Sequence, residues 1–385
     1  MNTEESKPTP LTAVHERLGA SFTDFGGWWM PLRYGSDVAE HKAVRESAGI
    51  FDLSHMGEIS VTGPDAGAFL DHALVGRLSA IEVGKAKYSL LCNEQGGVID
   101  DLITYRLGAD DFLVVPNAAN TPAALAALRE RTTGFDGEVF DVTIEDRTAA
   151  TALIAVQGPA SEAILLEVVA PESTDAVTSL RYYAIVDVVV NTPSGELPVK
   201  FARTGYTGED GFEIYVDAQD DDGAAERLWT VLESAGQAHG LVPCGLASRD
   251  SLRLEAGMPL HGHELSEQID PYSAGLGMVV ALKSKEAFVG RDALAQIKEN
   301  GPARKLVGLA NDTKRAARPG YTVLHNGEPV GEVTSGAPSP TLGHAIALAF
   351  VSPDLTEPGT ELEVDLRGKP TAFRVVELPF YKRAR

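Results

Sequence analysis

The sequence predicts an α+β protein of more than one domain, closed by a small antiparallel β unit. Three observations carry this reading. The chain has 385 residues, too many for one ordinary hydrophobic core. Up to about residue 275, period-2 strand patterns and 3.6-period helical patterns alternate. After about Leu276 the pattern is nearly all β: "RKLVGLA", "YTVLHNGEPVGEVTSG", "HAIALAFV", "ELEVDLRG" and "AFRVVELP" follow one another, and Asn326-Gly327 is a two-residue hairpin signal. The expected division is a polar, disordered start over 1–10, a mixed region over 11–275, and an antiparallel barrel or sandwich over 276–385.

The elements follow in order. Leu11–Gly19 and Ser36–Ala48 read as helices, with Gly49 suited to cap the second. "MGEISVTG" reads as a strand, and Pro64–Leu74 as a helix with proline near its start. "KYSLLCN", "VIDDLITYRL" and "DFLVVPN" form a meander with short turns. Asn120–Arg131 is rich in Ala and Leu and helical. "ATALIAVQGP" is a buried strand, and Ala160–Val169 the helix after it. "YAIVDVVV", "ELPVKFAR" and "GFEIYV" are further strands. Ala224–Ala238 is an amphipathic helix, Ser248–Ala256 another with Ser248 as N-cap, and Glu286–Glu299 the last before Asn300-Gly301.

Composition removes several function classes. Hydrophobic residues make up 44% and charged residues 23%, as in a soluble globular protein. A net charge of −22 argues against nucleic acid, which is gripped by clustered Lys and Arg, and against an anionic membrane surface. No apolar run is long enough to span a bilayer, and "MNTEESKPTP" lacks the apolar core of a signal peptide. The two cysteines, Cys92 and Cys244, stand in unrelated contexts, so neither a disulfide scaffold nor a zinc site is expected; a reducing cytoplasm fits.

Four stretches carry candidate chemistry. In "SLLCNEQGGVIDDLITYRL" two adjacent carboxylates sit in a strand. Alternation places Asp101 with Ile99, Ile103 and Tyr105 on the more apolar face, expected to turn inward, and Asp100 with Val98, Leu102, Thr104 and Arg106 on the other, where a solvated or structural acid is expected. A buried carboxylate must be hydrogen-bonded, paired or protonated, so Asp101 is either a structural cap on backbone amides or an acid or base in a pocket. "RTGYTGEDGFEIYV" is a glycine-rich turn entering a strand; it lacks the GK[ST] of a phosphate loop, and Glu209 and Asp210 would repel phosphate. Glu213 there lies either in solvent on an edge strand or against a donor-rich heterocycle such as a pterin, whose paired N–H groups suit a carboxylate. "GLASRDSLRLEAGMPLHGHELSE" places Arg249, Leu252 and Arg253 on one helical face, either facing a ligand or paired with Asp250 or Glu255. Its His261 and His263 make a weak metal match. "DLSHMGE" holds His55 and Met56 before a strand. No Rossmann glycine fingerprint, nucleophile elbow or Schiff-base lysine is evident.

Together these stretches resemble the aminomethyltransferase (T-protein) family of the glycine cleavage system. The resemblance runs through "FGGWWMPLRYGS", "IFDLSHMGEISVTGPDA", "NEQGGVIDDLITYR", "RTGYTGEDGFEI", "RDSLRLEAGMPLHGHEL", "FVGRDAL" and "PFYKR", in order and over nearly the whole chain. It implies a three-domain folate-binding fold, with two interleaved mixed domains and a C-terminal β-barrel. It implies transfer of a one-carbon unit from an aminomethyl group on a lipoylated H protein to tetrahydrofolate, with no metal, pyridoxal phosphate or flavin. Residue by residue, Asp101 resembles the catalytic carboxylate, and Glu213 and Arg249 resemble pterin and folate contacts. Tyr88, Tyr105, Asn117, Tyr206 and Met56 match positions lining the folate pocket, Arg383 a C-terminal arginine reaching the folate, and Arg291 a residue of carrier docking. Ser248 stands where alanine is common in the family. Relatives on the same scaffold trap formaldehyde for demethylating oxidases or aid iron–sulfur protein maturation. The former usually carry a flavin domain, for which this length leaves no room.

Overall fold

A computed structural model describes residues 6–221 and 223–383. The chain divides into two compact units. The first comprises residues up to Phe69, Leu78–Lys87 and Leu102–Arg249; the second comprises Leu70–Arg77, Tyr88–Asp101 and Asp250 onward.

The first unit is organised by a six-stranded sheet. Its order is Ile185–Thr192, Gly195–Ala202, Gly211–Asp217, Thr151–Gln157, Ala48–Asp52 and Leu241–Pro243, antiparallel except for the last pair. The central strands read as continuous apolar runs because both faces are covered. One face buries Ile154, Val156, Phe212 and Ile214 against the helices Ser161–Val168 and Ala224–Gly236, which contribute Leu165, Leu228 and Trp229. A second sheet runs in the order Ala86–Cys92, Val98–Gly108, Asp111–Val115, Ile59–Thr62, Thr143–Asp146.

The second unit carries the expected barrel. Lys305–Ala310, Ala345–Val351, Glu328–Pro338, Thr322–His325, Glu361–Asp365 and Pro370–Val376 close on themselves through antiparallel pairs. Val307, Val333, Ala349, Leu362 and Phe373 fill the interior, and closure removes the unpaired edges that an open sheet would expose.

Several local expectations are corrected. Residues 1–5 lie outside the described residues, and Lys7–Pro8 pair in parallel with Trp28–Arg33 where disorder was expected. Gly49 does not cap a helix. The helix Asp37–Glu46 ends at Ser47, and Gly49 lies within the strand Ala48–Asp52. A Cβ there would come within 2.5 Å of the Val44 side chain and 2.6 Å of the Cys244 sulfur, so the glycine serves close packing. Ser248 lies inside the helix Leu246–Glu255 and donates to the Gly245 carbonyl. The last helix before the barrel begins at Arg291, after Gly290 at φ 83°, rather than at Glu286.

The largest correction concerns the paired aspartates. Asp100, expected as a solvated or structural acid on the outer face, is 0% exposed, whereas Asp101, expected on the inner face, is only half-buried. Val98, Leu102 and Thr104 share the Asp100 face and are enclosed with it, while Ile99 and Ile103 on the Asp101 face remain half-buried. Counting apolar residues chose the wrong inner face because this strand is covered on both sides.

Candidate active site

In the first unit the site is assembled by a turn, a loop and three strands. The loop after Ala202 folds over Gln157, whose amide donates to the Thr204 carbonyl at 3.0 Å and whose oxygen accepts from the Thr207 hydroxyl at 2.9 Å. A Cβ on Gly205 would sit 2.0 Å from that amide oxygen, so only glycine allows the approach. The two loop acids are neutralised locally. Glu209 pairs with buried Arg45 at 2.9 Å, and Asp210 pairs with Arg203 at 2.5 Å.

This loop delivers Thr204 to Glu213. The Thr204 hydroxyl donates to Glu213 Oε2 at 2.5 Å, and the Tyr105 hydroxyl reaches the same oxygen at 3.4 Å. Tyr105 lies 2.9 Å from Thr204 Oγ1 and also accepts from Tyr215 at 3.5 Å. Glu213 is 9% exposed, so the edge-strand-in-solvent alternative is excluded. Burial holds the Tyr105 phenol far above its usual range, keeping it a neutral donor. Two hydroxyls therefore orient one carboxylate oxygen.

Arg249, half-buried, lies 5.0 Å over the Tyr206 ring. Desolvation pulls its guanidinium below the usual range, and the Glu213 and Tyr206 charges oppose that pull. Among the described residues no hydrogen bond or ion pair engages this guanidinium. Nearby His55 is buried, and its Nδ1 has no partner among the described residues. Burial first, and the Arg249 charge second, push the imidazole down to about 4. The turn that presents His55 and Met56 is fixed by Asp52, which accepts from Thr9 at 2.6 Å, the Ser54 amide at 2.9 Å and His15 at 2.9 Å. Burial opposes ionisation of Asp52, but these bonds outweigh it and hold the carboxyl below its usual range. Met56 is half-buried, and Asn117 is half-buried between the strand Asp111–Val115 and the helix Thr121–Glu130.

In the second unit Tyr88 donates to Asp101 Oδ2 at 3.0 Å. Arg253 is 2% exposed and bound by Asp250 at 2.7 Å, Glu264 at 3.2 Å and the Ser335 hydroxyl at 2.9 Å. The two imidazoles of "HGH" are likewise engaged: His261 Nε2 lies 3.2 Å from the Val98 carbonyl, and His263 Nδ1 lies 3.2 Å from Ser335 Oγ. Among the described residues no group of three His, Cys, Asp or Glu could hold a metal ion. Arg291 opens its helix half-buried, with Nε on the Lys285 carbonyl at 3.3 Å, and Arg383 is exposed.

The geometry thus brings Glu213, Tyr105, Arg249 and Tyr206 together, and separately Asp101 with Tyr88. Sequence reasoning assigned no role to Thr204, His55 or Asp52. The threonine beside the glycine-rich turn, and an Asp and a His framing Leu53-Ser54, were the only local signals for them.

Comparison with known proteins shows the family of the chain. The GCVT N-terminal domain model matches residues 11–284, and the glycine cleavage T-protein C-terminal barrel domain matches residues 304–382. The chain belongs to the aminomethyltransferase family of the glycine cleavage system. An aminomethyltransferase of Corynebacterium jeikeium is 54% identical over 98% of this chain and 99% of its own. That of Bacillus subtilis is 43% identical over 98% and 99%. The crystal structure of the glycine cleavage system aminomethyltransferase T from Bartonella henselae superposes with a TM-score of 0.86 at 36% identity, covering 98% of each chain. The family makes this chain a transferase. No helix among the described residues is long and apolar enough to cross a membrane.

Proposed function

We propose that the chain takes the one-carbon unit of an aminomethyl group bound through sulfur to a lipoylated H protein and passes it to tetrahydrofolate. The products are 5,10-methylenetetrahydrofolate, ammonia and the dihydrolipoyl carrier. Two folate N–C bonds form while the C–S and C–N bonds of the aminomethyl group break. The two protons released by the folate amines go to the departing thiol and ammonia. The reaction belongs in the cytoplasm and needs no metal, flavin or pyridoxal phosphate.

The observation that carries this reading is the held carboxylate Glu213. Thr204 and Tyr105 bind one of its oxygens, which leaves acceptor capacity for the amino group and ring N–H of a pterin. Arg249, stacked on Tyr206 with its donors uncommitted, is suited to the folate's anionic end or carbonyl groups. Tyr206, Met56 and Asn117 would supply pocket wall, and Arg383 a further contact. Asp101, accessible and oriented by Tyr88, would favour the cation that develops on the one-carbon centre, and would orient or deprotonate the attacking amine. Arg291, half-buried at the start of its helix, is assigned to carrier docking.

The deciding experiment measures ammonia release from an aminomethyl-loaded H protein with and without tetrahydrofolate. Folate-dependent release with stoichiometric methylenetetrahydrofolate is expected. Folate binding without ammonia release would instead favour a formaldehyde-trapping or maturation role.

A further inference from the structure

Two segments that carry assigned folate contacts leave the six-stranded sheet side by side. Leu241–Pro243 pairs with Ala48–Asp52 as far as Pro243 opposite Ile50, and the Cys244 amide donates to the Ile50 carbonyl at 2.9 Å. Beyond that point this ladder stops. One segment enters the helix that presents Arg249, and the other forms the turn that presents His55 and Met56.

A run of side chains continues where the ladder ends. Glu40, 5% exposed, spreads its carboxylate over three backbone amides. One oxygen accepts from Gly245 at 2.9 Å, the other from Tyr34 at 2.8 Å and Gly35 at 3.3 Å. Gly245 immediately precedes the Arg249 helix, and a Cβ on it would lie 2.3 Å from the Leu32 carbonyl, so the helix start is seated against the strand that leads to Tyr34. The Tyr34 hydroxyl lies 2.8 Å from His15 Nδ1, and His15 Nε2 lies 2.9 Å from Asp52 Oδ2. The other Asp52 oxygen accepts from the Ser54 amide at 2.9 Å. Burial keeps the Tyr34 phenol un-ionised, and the bonds on Asp52 keep it ionised, so the phenol donates to Nδ1 and Nε2 donates to the carboxylate. The Trp229 ring stands edge-on to the fully buried imidazole at 5.1 Å. Asp52 alone would close the turn; the extension through His15 and Tyr34 to Glu40 joins it to the other segment.

We propose, on the folate reading of this pocket, that Glu40, Tyr34 and His15 are positioning residues that act through Asp52 to tie the start of the Arg249 helix to the His55–Met56 turn. Tyr34 is the joint. Without its hydroxyl Glu40 still holds Gly245 and Asp52 still holds Ser54, but no side chain links the two segments, and the spacing of the groups that face the folate is no longer fixed.

Two measurements on the full chain test this. The first needs no folate: hydrogen exchange followed at single amides by NMR. Glu40→Gln keeps the shape but gives up one acceptor oxygen, and should speed exchange roughly tenfold or more at Gly245 and, through the run, at Ser54. In a Tyr34→Phe background the same change should still reach Gly245 but leave Ser54 unmoved. The second is calorimetry with tetrahydrofolate. Tyr34→Phe should weaken binding about three- to tenfold, the scale of one net hydrogen bond. In an Arg249→Met background it should weaken binding less than about twofold, because the spacing has lost one of its two contacts. Tyr34→Phe removes only a hydroxyl, so this cycle decides even where Glu40→Gln does not fold. A Ser54 response that is absent in the parent chain, or that survives Tyr34→Phe, would overturn the proposal. So would an equal loss of affinity with and without Arg249, the mark of a merely structural tyrosine. A parent chain that binds no tetrahydrofolate would instead overturn the folate reading, and the exchange data would still decide whether the two segments are tied.

Discussion

Arg249 and Arg253 stand one turn apart on the helix Leu246–Glu255, and their surroundings are opposite. Arg253 is closed in by Asp250, Glu264 and Ser335, so its charge and donors are used within the protein. Arg249 lies on an aromatic ring with its guanidinium donors uncommitted among the described residues. The same contrast in enclosure recurs at Asp100 and Asp101: one is fully buried, the other half-buried and hydrogen-bonded by the Tyr88 phenol. Residue type and spacing are alike within each pair. What separates the members of each pair is how far the protein encloses the group.

If that is the rule, stability and activity should separate within each pair. The largest effect belongs to Arg253→Met, which leaves Glu264 buried without its counter-charge and should cost about 3–5 kcal/mol of stability, read by denaturant unfolding. A loss similar to that of Arg249→Met would break the contrast. Next, Asp101→Asn should lower turnover about a hundredfold or more, roughly 3 kcal/mol of barrier, with little change in melting temperature. Asp100→Asn should do the reverse, costing about 1–3 kcal/mol of stability while turnover stays within about tenfold. An activity loss at Asp100 as large as that at Asp101 would show that accessibility is the wrong criterion.

The third prediction is a pH effect. His55 has its folded-state value pushed down to about 4, from 6.5 when unfolded. The unfolded chain therefore takes up a proton first as pH falls, and stability is lost between about pH 6.5 and pH 4, by up to about 3 kcal/mol. Burial is the main cause, the Arg249 charge the second, and the Asp52 charge works against both. Glu58 acts in the opposite sense over part of this range: its raised value disfavours the fold where the unfolded carboxyl is ionised, a penalty relieved as pH falls. The readout is therefore the difference between variants. Arg249→Met should shrink the acid loss and Arg253→Met should leave it unchanged; identical profiles would remove Arg249 from the surroundings of His55. The smallest effect is on folate itself. Arg249→Met should weaken tetrahydrofolate binding by about 1.5–3 kcal/mol by calorimetry, and unaltered affinity would take Arg249 out of the pocket.

The barrel, most helices and the motif-bearing turns were legible because their signals are local: alternation, a hairpin dipeptide, a glycine-rich loop. The burial of neighbouring carboxylates was not. Alternation correctly put Asp100 and Asp101 on opposite faces, but the choice of inner face depends on what covers each side of the sheet. Glu213 was ambiguous for the same reason, since its strand is buried on both faces. Arg253 finds its partners at Glu264 and Ser335, the latter 82 positions away, beyond any helical spacing rule. Gly49 reads as a helix stop until the sulfur of Cys244 is seen beside it.

The way the second unit is threaded also sets a timetable for its synthesis. Leu70–Arg77 and Tyr88–Asp101 leave the ribosome about 150 residues ahead of Asp250, where the rest of that unit begins. At 5–20 residues per second this is a delay of about 7–30 s. During it Val75, Leu90, Cys92 and Val98 await Leu265, Phe288 and Leu294, among which all four are buried in the finished protein. The nascent chain must carry an apolar strip through that interval unsheltered by its own fold, and a chain cut short before Asp250 would carry it permanently.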